Sequence, residues 1–239
     1  MPQPPRNMPA PADRALIPLS TGAAHHRAKA AVLLLHGGRV NALGPPSRLN
    51  LPALRMRPFA SAVMRATVHD EVLVARVRYQ HRGWNGHHAH PVADARRALD
   101  QLRTITGPVP IVLIGHSLGG RAALRLAADP EVGGVIALAP WCPPGEPTAH
   151  LRDRTVIALH DEADTVTSAA DTWAYVTRAH ADGARVAGIR MPGGRHSMIG
   201  SARLWHRITA ETAAALLGLA SFPDVSTPSR TWNGQPHRP

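Results

Sequence analysis

Val109-Pro110-Ile111-Val112-Leu113-Ile114-Gly115-His116-Ser117-Leu118-Gly119-Gly120 is the stretch that decides the fold. A nearly unbroken apolar run, as expected of a strand buried on both faces, ends in the pattern G-x-S-x-G. The residues after it, Leu118 to Ala128, read as a helix. A serine between such a strand and such a helix sits on a sharp turn that projects its side chain from a crowded apex. Gly115 and Gly119 flank it where a Cβ would collide with the neighbouring chain. The start of the helix lends Ser117 the positive end of a backbone dipole, which favours developing negative charge.

Working outward, the chain alternates short β-rich runs with longer helical ones. Residues 31–35, 71–78, 109–115, 134–138, 155–159 and 185–190 read as strands. Residues 58–69, 92–104, 118–128, 168–181 and 201–219 read as helices; Val92, Ala95, Leu99 and Leu102 keep the helical period in one of them. The expected fold is therefore α/β, a mostly parallel central sheet with helices on both faces. In such sheets ligands bind beyond the carboxyl ends of the strands, so the loop after each strand carries the chemistry. Only 15 residues, 140–154, separate the strand ending near Ala139 from the one starting near Thr155, too few for a helical cap domain.

A serine hydroxyl needs a base to take its proton. Among 15 histidines, His196 comes after the last strand in a glycine-rich loop, Met191-Pro192-Gly193-Gly194-Arg195-His196, that can reach over the sheet edge. The loop after the strand at 155–159, His160-Asp161-Glu162-Ala163-Asp164, offers an acid to orient the imidazole, with Asp164 the leading candidate and Asp161 the second. An oxyanion hole needs two backbone donors. Leu118 supplies one, directly after the nucleophile. The loop His36-Gly37-Gly38-Arg39 supplies the other, from Gly38 or alternatively Gly37, with His36 bracing the loop. Arg39, just beyond the oxyanion loop, and the Arg82 segment are the candidates for favouring anionic acyl groups, although sequence does not give the direction of either side chain. Trp141 either lines the pocket or supports its rim.

These elements, in this order, resemble the α/β-hydrolase superfamily over about Ala30 to Leu219. Its members often carry H-G-x-x-D-x-x-V after the acid strand; here that segment reads His160-Asp161-Glu162-Ala163-Asp164-Thr165-Val166-Thr167, which puts the acid at Asp164 and has Asp161 where glycine is usual. The resemblance implies a Ser-His-Asp hydrolase of esters, thioesters or related acyl bonds, without cofactor or metal. It is similar to small lidless members of the dienelactone-hydrolase-like group, although those use cysteine where Ser117 stands. Acyl transfer or a lyase reaction on the same scaffold, and a non-catalytic ligand-binding protein, are the competing readings.

Length and composition fit this reading. The 239 residues suffice for one α/β domain, expected over 15–220, between proline-rich tails at 1–14 and 221–239 read as loosely ordered. The formal charge of +11 raises nucleic acid as a partner. The arginines are scattered, however, and only nine aromatic residues could stack on bases, so no specific nucleic-acid binding is expected. Apolar runs fall short of the roughly 18 residues of a membrane span, so no membrane partner is expected. The lone Cys142 and the lack of an opening signal-like segment lead us to expect the cytoplasm and a small-molecule acyl substrate. His87, His88 and His90 hint at metal, but no cysteine or carboxylate completes a ligand set nearby.

Overall fold

The computed structural model describes residues 14–20, 27–47, 49–228 and 235–239. Seven strands form one sheet in the order β1-β3-β2-β4-β5-β6-β7. They are β1 (Leu16–Pro18), β2 (Ala30–Leu35), β3 (Val72–Val77), β4 (Ile111–His116), β5 (Val132–Leu138), β6 (Thr155–His160) and β7 (Arg185–Arg190). All neighbours pair in parallel except β1, which runs antiparallel to β3. The helices are α1 (Leu51–Ala66), α2 (His90–Thr106), α3 (Leu118–Leu126), α4 (Ala169–Ala181) and α5 (Ala202–Leu216).

Alternation along each strand divides the core in two. Leu33, Leu35, Ile111 and Leu113 pack toward α2, α3 and α4, whereas Val32, Leu34, Val112 and Ile114 pack toward α1 and α5. This is why the central strands are apolar at every position: each side chain meets a helical layer whichever way it points.

Two elements differ from the sequence reading. Helix α1 begins at Leu51, not near Pro58; Pro52 occupies its first turn, where a missing N–H costs nothing, and Pro58 lies on its exposed side. Strand β1 has three residues at the sheet edge, too short to leave a periodic signal. The reading of 1–14 as a tail falls, but for Arg14, outside the described residues. Within 221–239, Asp224–Ser226 form a short 3-10 turn with Ser226 buried. His237 adds a bridge to β7, its N–H donating to the Gly188 carbonyl (2.7 Å) and its carbonyl accepting from the Arg190 N–H (2.7 Å).

The turn after β4 is as tight as its sequence demands. A Cβ on Gly115 would stand 2.3 Å from the Gly119 carbonyl oxygen, and one on Gly119 would stand 2.4 Å from that of Leu35. Both obstacles are backbone, which cannot swing aside. Gly115→Ala is therefore expected to destabilise the protein by about 3 kcal/mol or more, read as a lower urea midpoint at unchanged slope.

Candidate active site

The strand ends bring the candidate residues to one edge of the sheet. Ser117 comes directly after β4 with φ 55° and ψ −119°, outside the regions open to most residues. Its N–H donates to the Leu138 carbonyl (3.0 Å), and its carbonyl accepts from the Trp141 and Arg121 N–H groups (3.1 Å each). The strained turn is thus held by β5, by the loop that follows it and by α3. Leu118 opens α3, so its N–H is among the donors a helix leaves unpaired at its start.

The Gly37-Gly38 turn after β2 lies against this apex. A Cβ on Gly37 would come 3.3 Å from the Ser117 Cβ, and one on Gly38 would come 2.3 Å from the Arg82 carbonyl oxygen. His36 is buried against the Tyr79 ring, 4.4 Å between centroids, with Nδ1 2.7 Å from the Gly37 carbonyl oxygen. Burial pushes its pKa down to about 4, so it braces the turn as a neutral ring.

Asp164 is the most heavily bonded acid in this region. Oδ1 accepts from the Val166 N–H (2.7 Å) and the Thr167 N–H (3.1 Å). Oδ2 accepts from His196 Nδ1 (2.8 Å), the Thr167 hydroxyl (2.9 Å) and His160 Nε2 (3.1 Å). Burial alone would raise its pKa, but these donors outweigh burial and hold the carboxyl well below the usual carboxylate range. Asp161 bonds elsewhere, Oδ1 accepting from the Ala163 N–H (2.9 Å) and Oδ2 from the Arg195 N–H (2.7 Å). It ties the acid loop to the histidine loop and makes no hydrogen bond to the His196 ring, so of the two candidate acids only Asp164 faces the imidazole.

His196 bonds through Nδ1 to Asp164 and lies 3.1 Å from the Thr167 hydroxyl by the same atom. With the Nδ1 proton directed at the carboxylate, Nε2 is left as the acceptor. No hydrogen bond joins Nε2 to the Ser117 hydroxyl among the described residues. Such contacts are commonly long before substrate binds. The histidine loop is fastened to the apex instead by His116, whose Nε2 lies 3.0 Å from the His196 carbonyl oxygen and whose ring centroid is 4.8 Å from that of His196. Burial pushes His116 down to about 3, with the nearby His196 contributing, so it holds this contact uncharged.

Four side chains carry parts of this arrangement that sequence reasoning does not assign. His160 stands between Asp164 and the Thr172 hydroxyl (2.8 Å), and Thr167 touches both members of the acid–histidine pair. Both belong to the segment quoted for the acid, so their spacing from Asp164 is the available signal. His116 is visible as the x of G-x-S-x-G. Arg55 on α1 is half-buried and close enough for its charge to depress both His116 and His196, and nothing in its local sequence marks it.

The rim is stitched from two loops. Arg39 is exposed; its N–H donates to the Arg82 carbonyl and its carbonyl accepts from the Trp84 N–H (2.9 Å each). Trp141 is half-buried, and the Arg121 guanidinium lies 4.4 Å from its ring and 3.9 Å from that of Trp84. Arg121 in turn binds buried Glu146, which also pairs with Arg125. The histidine-rich segment forms a stack, with His87–His88 and His81–His90 centroids 4.1 and 4.2 Å apart. Among the described residues no three His, Cys, Asp or Glu side chains are grouped to hold a metal ion. No helix among them is long and apolar enough to cross a membrane.

The sequence model of the family described as alpha/beta hydrolase fold matches residues 75–181, from β3 through α4. No curated protein sequence matches the chain. Among solved structures, the acetyl ester-xyloside bifunctional hydrolase of Caldicellulosiruptor lactoaceticus superimposes with a TM-score of 0.63 at 13% identity, covering 86% of this chain and 89% of its own. The esterase Est2 of Thermogutta terrifontis gives 0.61 at 19% identity, covering 86% and 88%. Est1E of Butyrivibrio proteoclasticus, solved with ferulic acid, gives 0.60 at 13% identity, covering 85% and 96%. The family match spans less than half of the chain, and the solved structures show that it shares the α/β-hydrolase fold. Its β5–β6 connection is too short to carry a helical cap.

Proposed function

We propose that the protein is a carboxylic-ester hydrolase acting on small acyl substrates through a Ser117–His196–Asp164 triad. The observation that carries this reading is the Asp164–His196 pair at 2.8 Å, with the second imidazole nitrogen left as acceptor on a loop that His116, the neighbour of the strained Ser117, holds at 3.0 Å. The Ser117 oxygen attacks the acyl carbonyl as His196 Nε2 takes its proton. The Leu118 and Gly38 N–H groups hold the oxyanion, and the imidazolium then gives its proton to the departing alcohol. Water repeats the sequence on the acyl-enzyme. Exposed Val40, Leu43, Val166 and Ile199, on loops that leave these strand ends, provide apolar surface for an acyl group. The esterases of similar fold point the same way. A reducing cytoplasm suits the buried, unpaired Cys142, whose thiol burial pushes up and keeps unreactive.

A fluorophosphonate probe tests the assignment. Attack by the Ser117 oxygen on phosphorus with loss of fluoride should leave one adduct, located at Ser117 by peptide mass spectrometry; an unlabelled protein, or a label elsewhere, would remove the proposed nucleophile. The pH profile offers a second check. His196 must be neutral to accept a proton, and its pKa is lowered, first by burial, against the opposing pull of Asp164. The acid limb of kcat/KM for 4-nitrophenyl acetate is therefore expected to have its midpoint below the free-histidine value of about 6.5.

A further inference from the structure

Beside the site lies a cavity of about 500 Å³ that the proposed mechanism does not use. Its walls come from the ends of β1 and β3, the start of α1 and the loop before it; Ser117 is not among the lining residues. Arginine dominates the lining: Arg14, Arg57 and Arg76, together with Arg78, which is itself engaged by another group, and Arg97, which is paired to Asp94. Among the described residues no aspartate or glutamate lines it. Arg76, half-buried, is crowded by the like charges of Arg57 and Arg78. Such an arrangement is costly unless something of opposite sign enters.

Two further features mark this cavity as built to hold a polar ligand. Arg14 Nε is buried with no hydrogen-bond partner among the described residues, and so is the hydroxyl of Tyr79, a cavity-lining residue only 2% exposed. Buried polar atoms are ordinarily satisfied, and these two are not. The cavity also touches the candidate catalytic centre: His36, which braces the Gly37-Gly38 turn, forms part of its wall. Helix α1 spans both regions, presenting Arg57 to the cavity while the charge of Arg55 acts on His196.

We propose that this cavity is a binding site for a multiply charged organic anion of the phosphate or polycarboxylate class. Guanidinium forks bind such oxygens in pairs, and several of them around one space select charge density over shape. The volume suits a small organic anion. The anion comes either from the far end of the ester substrate or from a separate effector, and the chemistry of recognition is shared.

Binding is tested without relying on hydrolysis by titrating pyrophosphate into the Ser117→Ala protein in a calorimeter. One saturable site is expected, weakened about 10-fold or more in Arg57→Gln/Arg76→Gln. The double substitution Arg154→Gln/Arg185→Gln removes the same charge at the opposite edge of the sheet and should leave binding nearly unchanged. Should Arg76→Gln compromise folding, judged by thermal melting, the exposed single substitutions Arg57→Gln and Arg78→Gln carry the comparison. Absence of saturable binding, or equal weakening by both double variants, would overturn the site. With active protein, pyrophosphate that inhibits mono(4-nitrophenyl) succinate but not 4-nitrophenyl acetate assigns the anion to the substrate. An equal effect on both esters assigns it to an effector, and either pattern supports the site.

Discussion

Ser117→Ala is expected to lower turnover of 4-nitrophenyl acetate by on the order of 10⁵-fold while the far-ultraviolet circular dichroism stays unchanged. The side chain makes none of the contacts that hold the apex. Those run through the Ser117 N–H and carbonyl, which alanine keeps. The strained φ of 55° persists for any residue with a Cβ, so the substitution neither relieves nor adds much backbone cost. What disappears is the hydroxyl oxygen proposed to form the acyl-enzyme. Residual activity should come from the oxyanion donors and binding alone. Retention of more than a small fraction of wild-type turnover would mean that another group, or water, attacks the ester.

Asp164→Asn is expected to lower kcat by about 10⁴-fold, and Asp161→Asn by far less. An amide at position 164 has a similar shape but no charge with which to stabilise the imidazolium. It also allows the imidazole to adopt the tautomer in which Nε2 carries the proton and cannot accept another. Five donors converge on the Asp164 carboxylate, so the substitution also forces at least one N–H or O–H to face the new amide nitrogen. Because the folded carboxyl is held below its ordinary range, its ionised form contributes stability above about pH 4. That contribution is lost as pH falls through the lower folded value, a dependence the Asn variant should lack. Steady-state kinetics and acid unfolding of the two variants provide the comparison. Equal loss of kcat in both would shift the acid role away from Asp164 alone.

Much of this architecture can be read from the chain because its signals are local. Strand ends at 35, 116, 160 and 190 are set by apolar runs that stop at Gly, His or Pro, and a parallel sheet places the loops after them on one edge. The separation of Asp164 from Asp161 is harder. Both are acids in one loop, and only the positions of the Arg195 N–H and the His196 ring tell a loop tie from an imidazole partner. Arg55 and the arginine cavity leave no trace in sequence, since α1, β1 and β3 meet only through the fold. Pro58 misdirects the reading of α1 because proline inside a helix ordinarily ends it; on the exposed side it is tolerated.

The bridge made by His237 gives a stretch outside the helices and strands a protective task at the sheet edge. Strand β7 is the last of the sheet, and an uncovered edge invites pairing with another molecule. His237 occupies the Gly188 carbonyl and the Arg190 N–H, the outward groups nearest the point where the chain departs toward His196. Removing His237 would bare those groups as a template for self-association, so shortening the chain ahead of it carries a cost unrelated to the chemistry at Ser117.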